Sequence, residues 1–335
     1  MTKRRRPTQV DVARLAGTSR QTVSLVALDD PRVSPSTRTR VLAAMHELDY
    51  RPNIAARALA ARNSRFIGIV LADVTNPFYA DLCDELRNRC EALDLVPLIA
   101  ISGRQRDSCL MSAERFIHMG IEGLALVSPP LGTGDLHRIG TQVPTVLLTH
   151  NTGPMSVDLV HTDDEAGAGM AARHLLCRGY EPVVYLGFDR AVPGDSAAAR
   201  RLGFTREMAR EGREPMAVDL LSTGIGEAVE EVLDAHGPGI GFCCHNDLVA
   251  LEAMRALADR GLRAGPDHGV TGFDDSRVAS HPAISLTSIN QRTTGLAEVA
   301  MRLLSERIGG RTEQAERVFA PSLVVRASSR PGGGR

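Results

Sequence analysis

From Ser64 onward the chain alternates strand-like and helix-like segments, and this alternation restricts the fold more than any other feature. Phe66-Ile67-Gly68-Ile69-Val70-Leu71 is an unbroken apolar run, the pattern of a strand covered on both faces. A helix is expected over residues 77–93, a strand over 95–101, a helix over 107–119, and strands over 124–127 and 144–148. The rhythm restarts with a strand at 157–161 and a helix near 167–177. Strand 183–186, helix 197–210, strand 240–244, helix 247–261 and strand 269–273 complete it. Strand–helix–strand repeats form parallel sheets with helices on both faces. Two such halves place a ligand cleft at the carboxyl ends of their strands.

Several chemistries lack their signatures. No G-x-G-x-x-G opens a helix after a strand, Lys3 is the only lysine and so no Walker lysine exists, and neither a G-x-S-x-G elbow nor a metal-spaced His pair occurs. No cofactor, metal or catalytic group is therefore expected, and the chain reads as a binding protein, not an enzyme. No apolar run approaches the ~18 residues of a membrane span. The basic start, Met1 to Pro7, is not followed by an apolar signal segment, which makes a cytoplasmic protein the expectation. The cysteines Cys83, Cys90, Cys109, Cys177, Cys243 and Cys244 form no C-x-x-C pair and read as buried thiols.

Polar residues stand where the strands end: Asp73, Asn76, Asp163, Asp164, Asp189, Asn246, Asp247, Asp274, Asp275 and Gln291. Taken singly, each suits a helix cap. Their convergence on one side of a cleft suits a polar ligand.

The first sixty residues follow a different plan. Residues 1–62 hold 12 Lys and Arg against 5 Asp and Glu, a net +7, whereas the remainder holds 27 against 35, a net −8. A basic head on an acidic body fits a head that meets a polyanion. Thr8-Gln9-Val10-Asp11 has capping-box form and opens a helix that Gly17 ends. Ser19 caps a second helix running to about Leu28, and Ser34-Pro35 opens a third whose inward stripe is Val41, Leu42, Met45 and Leu48. On the second helix Val23, Val26 and Ala27 face Val12, Ala13 and Ala16, while Arg20, Gln21, Ser24 and Leu25 share the opposite stripe. Two short helices joined by a glycine turn describe a helix-turn-helix. Arg and Gln at its second helix are side chains that read guanine and adenine edges. Pro52 then breaks the chain, Asn53 can cap, and the alanine-rich segment 54–62 is too short to be a stable helix without a partner.

The run from Asp11 to Ser24, together with Val33-Ser34, Thr37-Arg38, Val41-Leu42 and Tyr50-Arg51-Pro52-Asn53, resembles the headpiece of the lactose-repressor/galactose-repressor (LacI/GalR) family, and the similarity continues to about Arg326. The resemblance implies an α/β chain. It has a three-helix headpiece (1–50), a hinge helix (51–63) and a bilobed periplasmic-binding-protein-like core (64–330) of two doubly wound parallel sheets. The lobes fall at about 64–155 with 292–316 and at 156–291 with 317–330, followed by a disordered Gly/Pro-rich tail (331–335).

The resemblance also implies base contacts from Arg20 and Gln21 and phosphate contacts from Ser19, Thr22 and Ser24. Asn53, Ala56, Arg57 and Leu59 join the DNA contacts, with Ala56 and Leu59 entering the minor groove. Position 25 departs from the family, because Leu25 replaces a common base-reading Arg; it suits a thymine methyl instead. For the cleft, the resemblance implies effector contacts from Asn76, Phe78, Tyr79, Arg200, Asn246, Asp274 and Gln291, with Asp163 added from the strand-end set. The expected partners are double-stranded operator DNA, a sugar-like effector and a second copy of the chain, with no membrane. A solute-binding protein of the transport class and a purine- or nucleoside-responsive regulator remain open as alternatives.

Overall fold

The computed structural model describes residues 7–27, 30–50, 64–189 and 194–332. Asn53, Ala56, Arg57 and Leu59, the expected hinge helix, and residues 333–335 of the expected tail lie outside the described residues. The chain divides into two compact units, Met1–Arg65 and Phe66–Arg335.

Three helices make the first unit: α1 (Gln9–Leu15), α2 (Arg20–Ala27) and α3 (Pro35–Glu47). Their starts follow local chemistry. The Thr8 hydroxyl accepts from Asp11 N at 3.4 Å, and the Asp11 carboxylate accepts from Thr8 N at 2.9 Å. Ser19 Oγ accepts from Thr22 N at 3.0 Å and Ser34 Oγ from Thr37 N at 3.4 Å. Gly17, at φ +61°, makes the left-handed turn between α1 and α2.

Val12, Ala13, Ala16, Val23, Val26, Val41, Ala44 and Met45 form the core. One expected member is corrected: Leu42 is 52% exposed, and Ala44 takes its place. Val41, Ala44, Met45 and Leu48 keep i, i+3, i+4, i+7 spacing, and position 42 falls to the side of that stripe. So small a core has little redundancy. Met45→Ala is expected to remove about 2 kcal/mol or more from the head and none from the body, read by urea unfolding of a chain lacking residues 66–335 and of the full chain.

The second unit carries two six-stranded sheets. Its first part runs β1 (Phe66–Leu71), α4 (Pro77–Ala92), β2 (Val96–Ile101), α5 (Arg106–His118), β3 (Gly123–Val127), α6 (Thr133–Gly140), β4 (Thr145–Leu148) and β5 (Asp158–Thr162). Its second part runs α7 (Asp164–Cys177), β6 (Val183–Gly187), α8 (Ser196–Arg210), β7 (Met216–Asp219), α9 (Ile225–His236), β8 (Gly241–Cys244), α10 (Asp247–Asp259), β9 (Gly269–Asp274) and β10 (Thr287–Asn290). Helix α11 (Thr293–Ile308) and strands β11 (Glu316–Phe319) and β12 (Ser322–Val324) close it.

The strand orders are β11-β5-β4-β3-β1-β2 and β12-β10-β9-β8-β6-β7. All pairings are parallel except β10–β12. In each sheet the order reverses beside one strand, β1 in the first and β6 in the second, and ligands bind at such switch points.

Two expectations change here. The strand near 158 pairs with β4, Val146 opposite Asp158, and β11 pairs with β5. The first lobe therefore takes in 158–162 and 316–319, and the expected boundaries at 155 and 316 move. An apolar pattern reveals a strand but not its neighbour in the sheet. Helices α6, α9 and α11 and strands β7, β10, β11 and β12 were not anticipated. As for the cysteines, Cys90, Cys109, Cys243 and Cys244 are buried, whereas Cys177 is exposed.

Candidate functional site

Each lobe sends its strand–helix junctions toward the same crevice. A cavity of about 410 Å³, counting the solvent at its mouth, lies there between the lobes. The first lobe contributes Asn76, Phe78 and Tyr79 after β1, Arg104 after β2, Ser128 after β3 and Thr149 after β4. The second contributes Phe188 after β6, Asp195 to Ala197 and Arg200 at the start of α8, His245 and Asn246 after β8, and Asp274 at the end of β9; Gln291 comes from the strand that crosses back.

Arg200 organises the polar side of this cavity. It is 4% exposed. Its Nε donates to Asp164 Oδ1 at 2.7 Å and its Nη1 to His245 O at 2.7 Å. Nη1 also stands 3.9 Å from Asp274 Oδ1, and the guanidinium lies 3.6 Å above the Phe273 ring. A planar five-donor cation is suited to bridging carboxylate, carbonyl and ring at once.

Close helix packing puts it there. A Cβ on Gly203 of α8 would lie 2.0 Å from Glu165 O of α7, so glycine lets the two helices touch. Gly203→Ala is expected to force α8 away from α7 and cost about 1–3 kcal/mol. It should also weaken any ligand response that uses Arg200, read by thermal melting alongside ligand titration.

Asp274 joins the lobes. Its Oδ2 accepts from Asn76 Nδ2 at 2.9 Å, across the crevice, and its Oδ1 accepts from Gln291 Nε2 at 2.6 Å. Its φ of +125° is strained for a residue with a Cβ, and such strain gathers at functional sites. Burial pushes the Asp274 carboxyl up to about 7, with Arg200 pulling it down and the charge of Asp247 adding to the rise. Burial likewise pushes Asp247 up to about 6, although it accepts from Ser276 N and Oγ at 2.8 Å and from Ser288 Oγ at 2.5 Å. Asp164 is also raised by burial, against the pull of Arg200.

These shifts fix the direction of a pH effect. A carboxyl raised on folding holds a proton that the unfolded chain has released, so its stability contribution is full below the ordinary carboxylate range. It is lost as pH climbs through the folded value of about 7. Melting temperature should therefore fall between pH 5 and 8, and Asp274→Asn should flatten that fall, as thermal scans across the range will show.

Seven of the eight expected cleft residues line the cavity: Asn76, Phe78, Tyr79, Arg200, Asn246, Asp274 and Gln291. Capping and lining coincide in two of them. Asn76 Oδ1 accepts from Phe78 N at 3.0 Å while its amide reaches Asp274, and Asn246 Oδ1 caps α10 through Val249 N at 2.9 Å.

Asp163 is the correction. It is exposed, its carboxylate accepts from Ala166 N at 2.9 Å, and it is not among the cavity's lining residues. An N-cap side chain turns back onto its own helix. The next residue, Asp164, reaches Arg200 instead. Lining residues that the sequence reading missed are Arg104, Ser128, Thr149, Phe188, Asp195, Ser196, Ala197 and His245. Ser128, Thr149, Phe188 and His245 sit just after strand ends, a signal that was available. Phe188 and His245 add an edge-to-face ring pair, with centroids 5.1 Å apart, to the expected aromatics.

In the head, Arg20 and Gln21 are exposed at the start of α2, whose buried residues are Val23 and Val26. Arg20 Nε reaches Gln9 Oε1 at 3.3 Å. Ser19 and Thr22 hydroxyls meet at 2.9 Å, and Ser24 and Leu25 are half-buried. Of the residues expected at DNA, Ser19, Arg20 and Gln21 are exposed and Thr22, Ser24 and Leu25 are half-buried, and Asn53, Ala56, Arg57 and Leu59 lie outside the described residues.

Known proteins share both halves of this plan. Residues 8–53 match the profile of bacterial regulatory proteins, lacI family, and residues 172–329 match the periplasmic binding protein-like domain. The helix-turn-helix transcriptional regulator GalR of Salmonella typhimurium strain LT2 is 30% identical over 327 residues, spanning 95% of this chain and 94% of that one. The lac repressor dimer bound to operator and the anti-inducer ONPF is similar in structure, with a TM-score of 0.83 at 26% identity over 97% of this chain and 100% of that one. The transcriptional regulator CelR in complex with cellobiose gives a TM-score of 0.68 at 28% identity, over 96% of this chain and 100% of that one. With a helix-turn-helix head, a two-lobed α/β body and a full-length relative at 30% identity, the chain belongs to the LacI family of bacterial transcription regulators.

Proposed function

We propose that the protein is a homodimeric repressor that binds a pseudo-palindromic operator and changes its grip when a small polar effector enters the cleft. The observation that carries this reading is the position of Asp274. It hydrogen-bonds Asn76 of the other lobe and stands beside Arg200, so a ligand that competes for it acts on the lobe arrangement itself. An effector shifts DNA affinity only through such differential contacts with two arrangements.

The head, 1–50, reads the operator with Arg20 and Gln21 against base edges and Ser19, Thr22 and Ser24 against phosphates, and 51–63 links it to the body. Leu25 lies against a thymine methyl. Two heads require two copies. Strand β2 is an edge of its sheet, and Val96, Ile99 and Ile101 on it are exposed. An apolar edge left open invites pairing, and a second copy covers it. The effector is sugar-like: carboxylates, amides, an arginine and aromatic rings suit a polyhydroxylated molecule. The protein works in the cytoplasm and performs no catalysis.

A thermal-shift screen of the full chain against sugars, polyols and purines identifies the effector, and operator affinity is then measured with and without the hit. The reading expects a change in operator Kd of about 5- to 150-fold. A compound that stabilises the body strongly yet leaves operator affinity untouched would sink it.

A further inference from the structure

The first two helices of the head meet through their opening residues. Gln9 is the first residue of α1 and Arg20 the first of α2. Arg20 Nε donates to Gln9 Oε1 at 3.3 Å, across 11 positions of sequence. Gln9 is half-buried and is not a member of the head's apolar core.

Both ends of that bond are held by the fold. The capping box fixes the backbone at Gln9: Thr8 N donates to Asp11 Oδ2 at 2.9 Å, and Thr8 Oγ1 donates to the same oxygen at 2.7 Å. Ser19 Oγ accepts from Thr22 N at 3.0 Å and fixes the backbone at Arg20. Thr18 N donates to Ala13 O at 3.0 Å and closes the turn between the helices. Val12 and Val23, each 0% exposed, pack in the same core and join them. The separation of positions 9 and 20 is therefore set before either side chain chooses a rotamer.

A guanidinium offers two forked edges, one made by Nε with an Nη and one made by the two Nη groups. With Nε given to Gln9, the edge of Arg20 left for a base is the Nη pair. One such edge is what a bidentate grip on guanine O6 and N7 needs. Ordering a long side chain on binding costs affinity, and a tether made beforehand reduces that cost. The tether is a neutral amide oxygen. It orients the cation without cancelling its charge, whereas a carboxylate at position 9 would pair with Arg20 and repel the phosphates. Arg20 is the only arginine on α2, and Leu25 has no donor to share the reading of guanine.

From this arrangement we infer that Gln9 is a specificity-determining residue of the head, which positions Arg20 so that its two Nη groups face the major groove and read a guanine. The inference rests on the base-reading role proposed for Arg20 and adds the residue that orients it.

The test uses the full chain and two duplexes: the one it enriches from a randomised pool, and a shuffled duplex of the same composition. Discrimination is the ratio of the two Kd values. Gln9→Leu, similar in size but without an acceptor, should lower discrimination roughly 3- to 10-fold, the effect of freeing one long side chain. Its Kd for the shuffled duplex should stay within about twofold. Introduced into Arg20→Ala, the same change should shift discrimination by less than about twofold, because Gln9 acts through Arg20. Gln9→Glu keeps the acceptor, so it should weaken both duplexes through its charge and preserve discrimination.

A loss of discrimination in Gln9→Leu that is as large without Arg20 as with it overturns this inference alone, because a structural role or a separate base contact would produce it. So does an equal loss on both duplexes, or no loss. Undiminished discrimination in Arg20→Ala overturns the base-reading assignment and this inference together, and so does a pool that yields no enriched sequence.

Discussion

Arg200→Ala is expected to abolish the effector response and to lower the melting temperature of the body, while the head keeps its affinity for DNA. The guanidinium is buried between Asp164 at 2.7 Å and Asp274 at 3.9 Å. Without it two buried carboxylates face each other uncompensated, and removing one partner of such a group costs about 3–5 kcal/mol. For a domain of this size that is on the order of 10 °C. Acidification should return part of the loss, because protonation neutralises the orphaned carboxylates. Arg200→Lys keeps the charge but lacks the fork that reaches Asp164 and His245 O together, so it should recover stability better than response. Thermal melts at two pH values, paired with operator binding in the presence of effector, separate these effects.

Arg20→Ala and Gln21→Ala act at the other end. A well-placed bidentate base contact is worth about 1–3 kcal/mol of discrimination, so each change should weaken operator binding roughly 10- to 100-fold. The double variant should approach binding to random sequence. Both residues are exposed, so the head stays folded. The salt dependence distinguishes the two: losing Gln21 leaves the slope of log K against log salt unchanged, because no cation is removed. An equal loss on operator and random duplex would assign both residues to the backbone instead of the bases.

Local chemistry was the legible part of this protein. Thr8 with Asp11, Ser19, and Ser34 with Pro35 set helix starts within three residues of themselves, and each stands where the sequence put it. The apolar runs of β1, β3, β6 and β8 were equally plain, since a strand covered on both faces needs little context. Strand β5 was visible as a strand, but its place in the first sheet depends on pairing with β4 and β11, the latter more than 150 residues away. Leu42 was misplaced because a helix stripe one position wide is decided by packing, not by hydrophobicity.

The cleft was legible in outline for a related reason. Strand ends lead into helix starts, helix starts favour Asn and Asp, and the strand ends face the crevice. Asp163 and Asp164 show the limit of that logic. Both sit at the same junction, and only the coordinates of α7 decide that one caps and the other meets Arg200. His245 and Thr149 each stand one residue past the end of an apolar strand, the same kind of position that the recognised cleft residues hold.

Selection of the full chain against randomised duplex DNA tests the central claim most directly. The account predicts enrichment of an inverted repeat whose half-site centres lie about one helical turn, or a multiple, apart, and loss of that enrichment in the Arg20→Ala, Gln21→Ala chain. Recovery of no preferred sequence, or of an asymmetric site occupied by one copy, would contradict it.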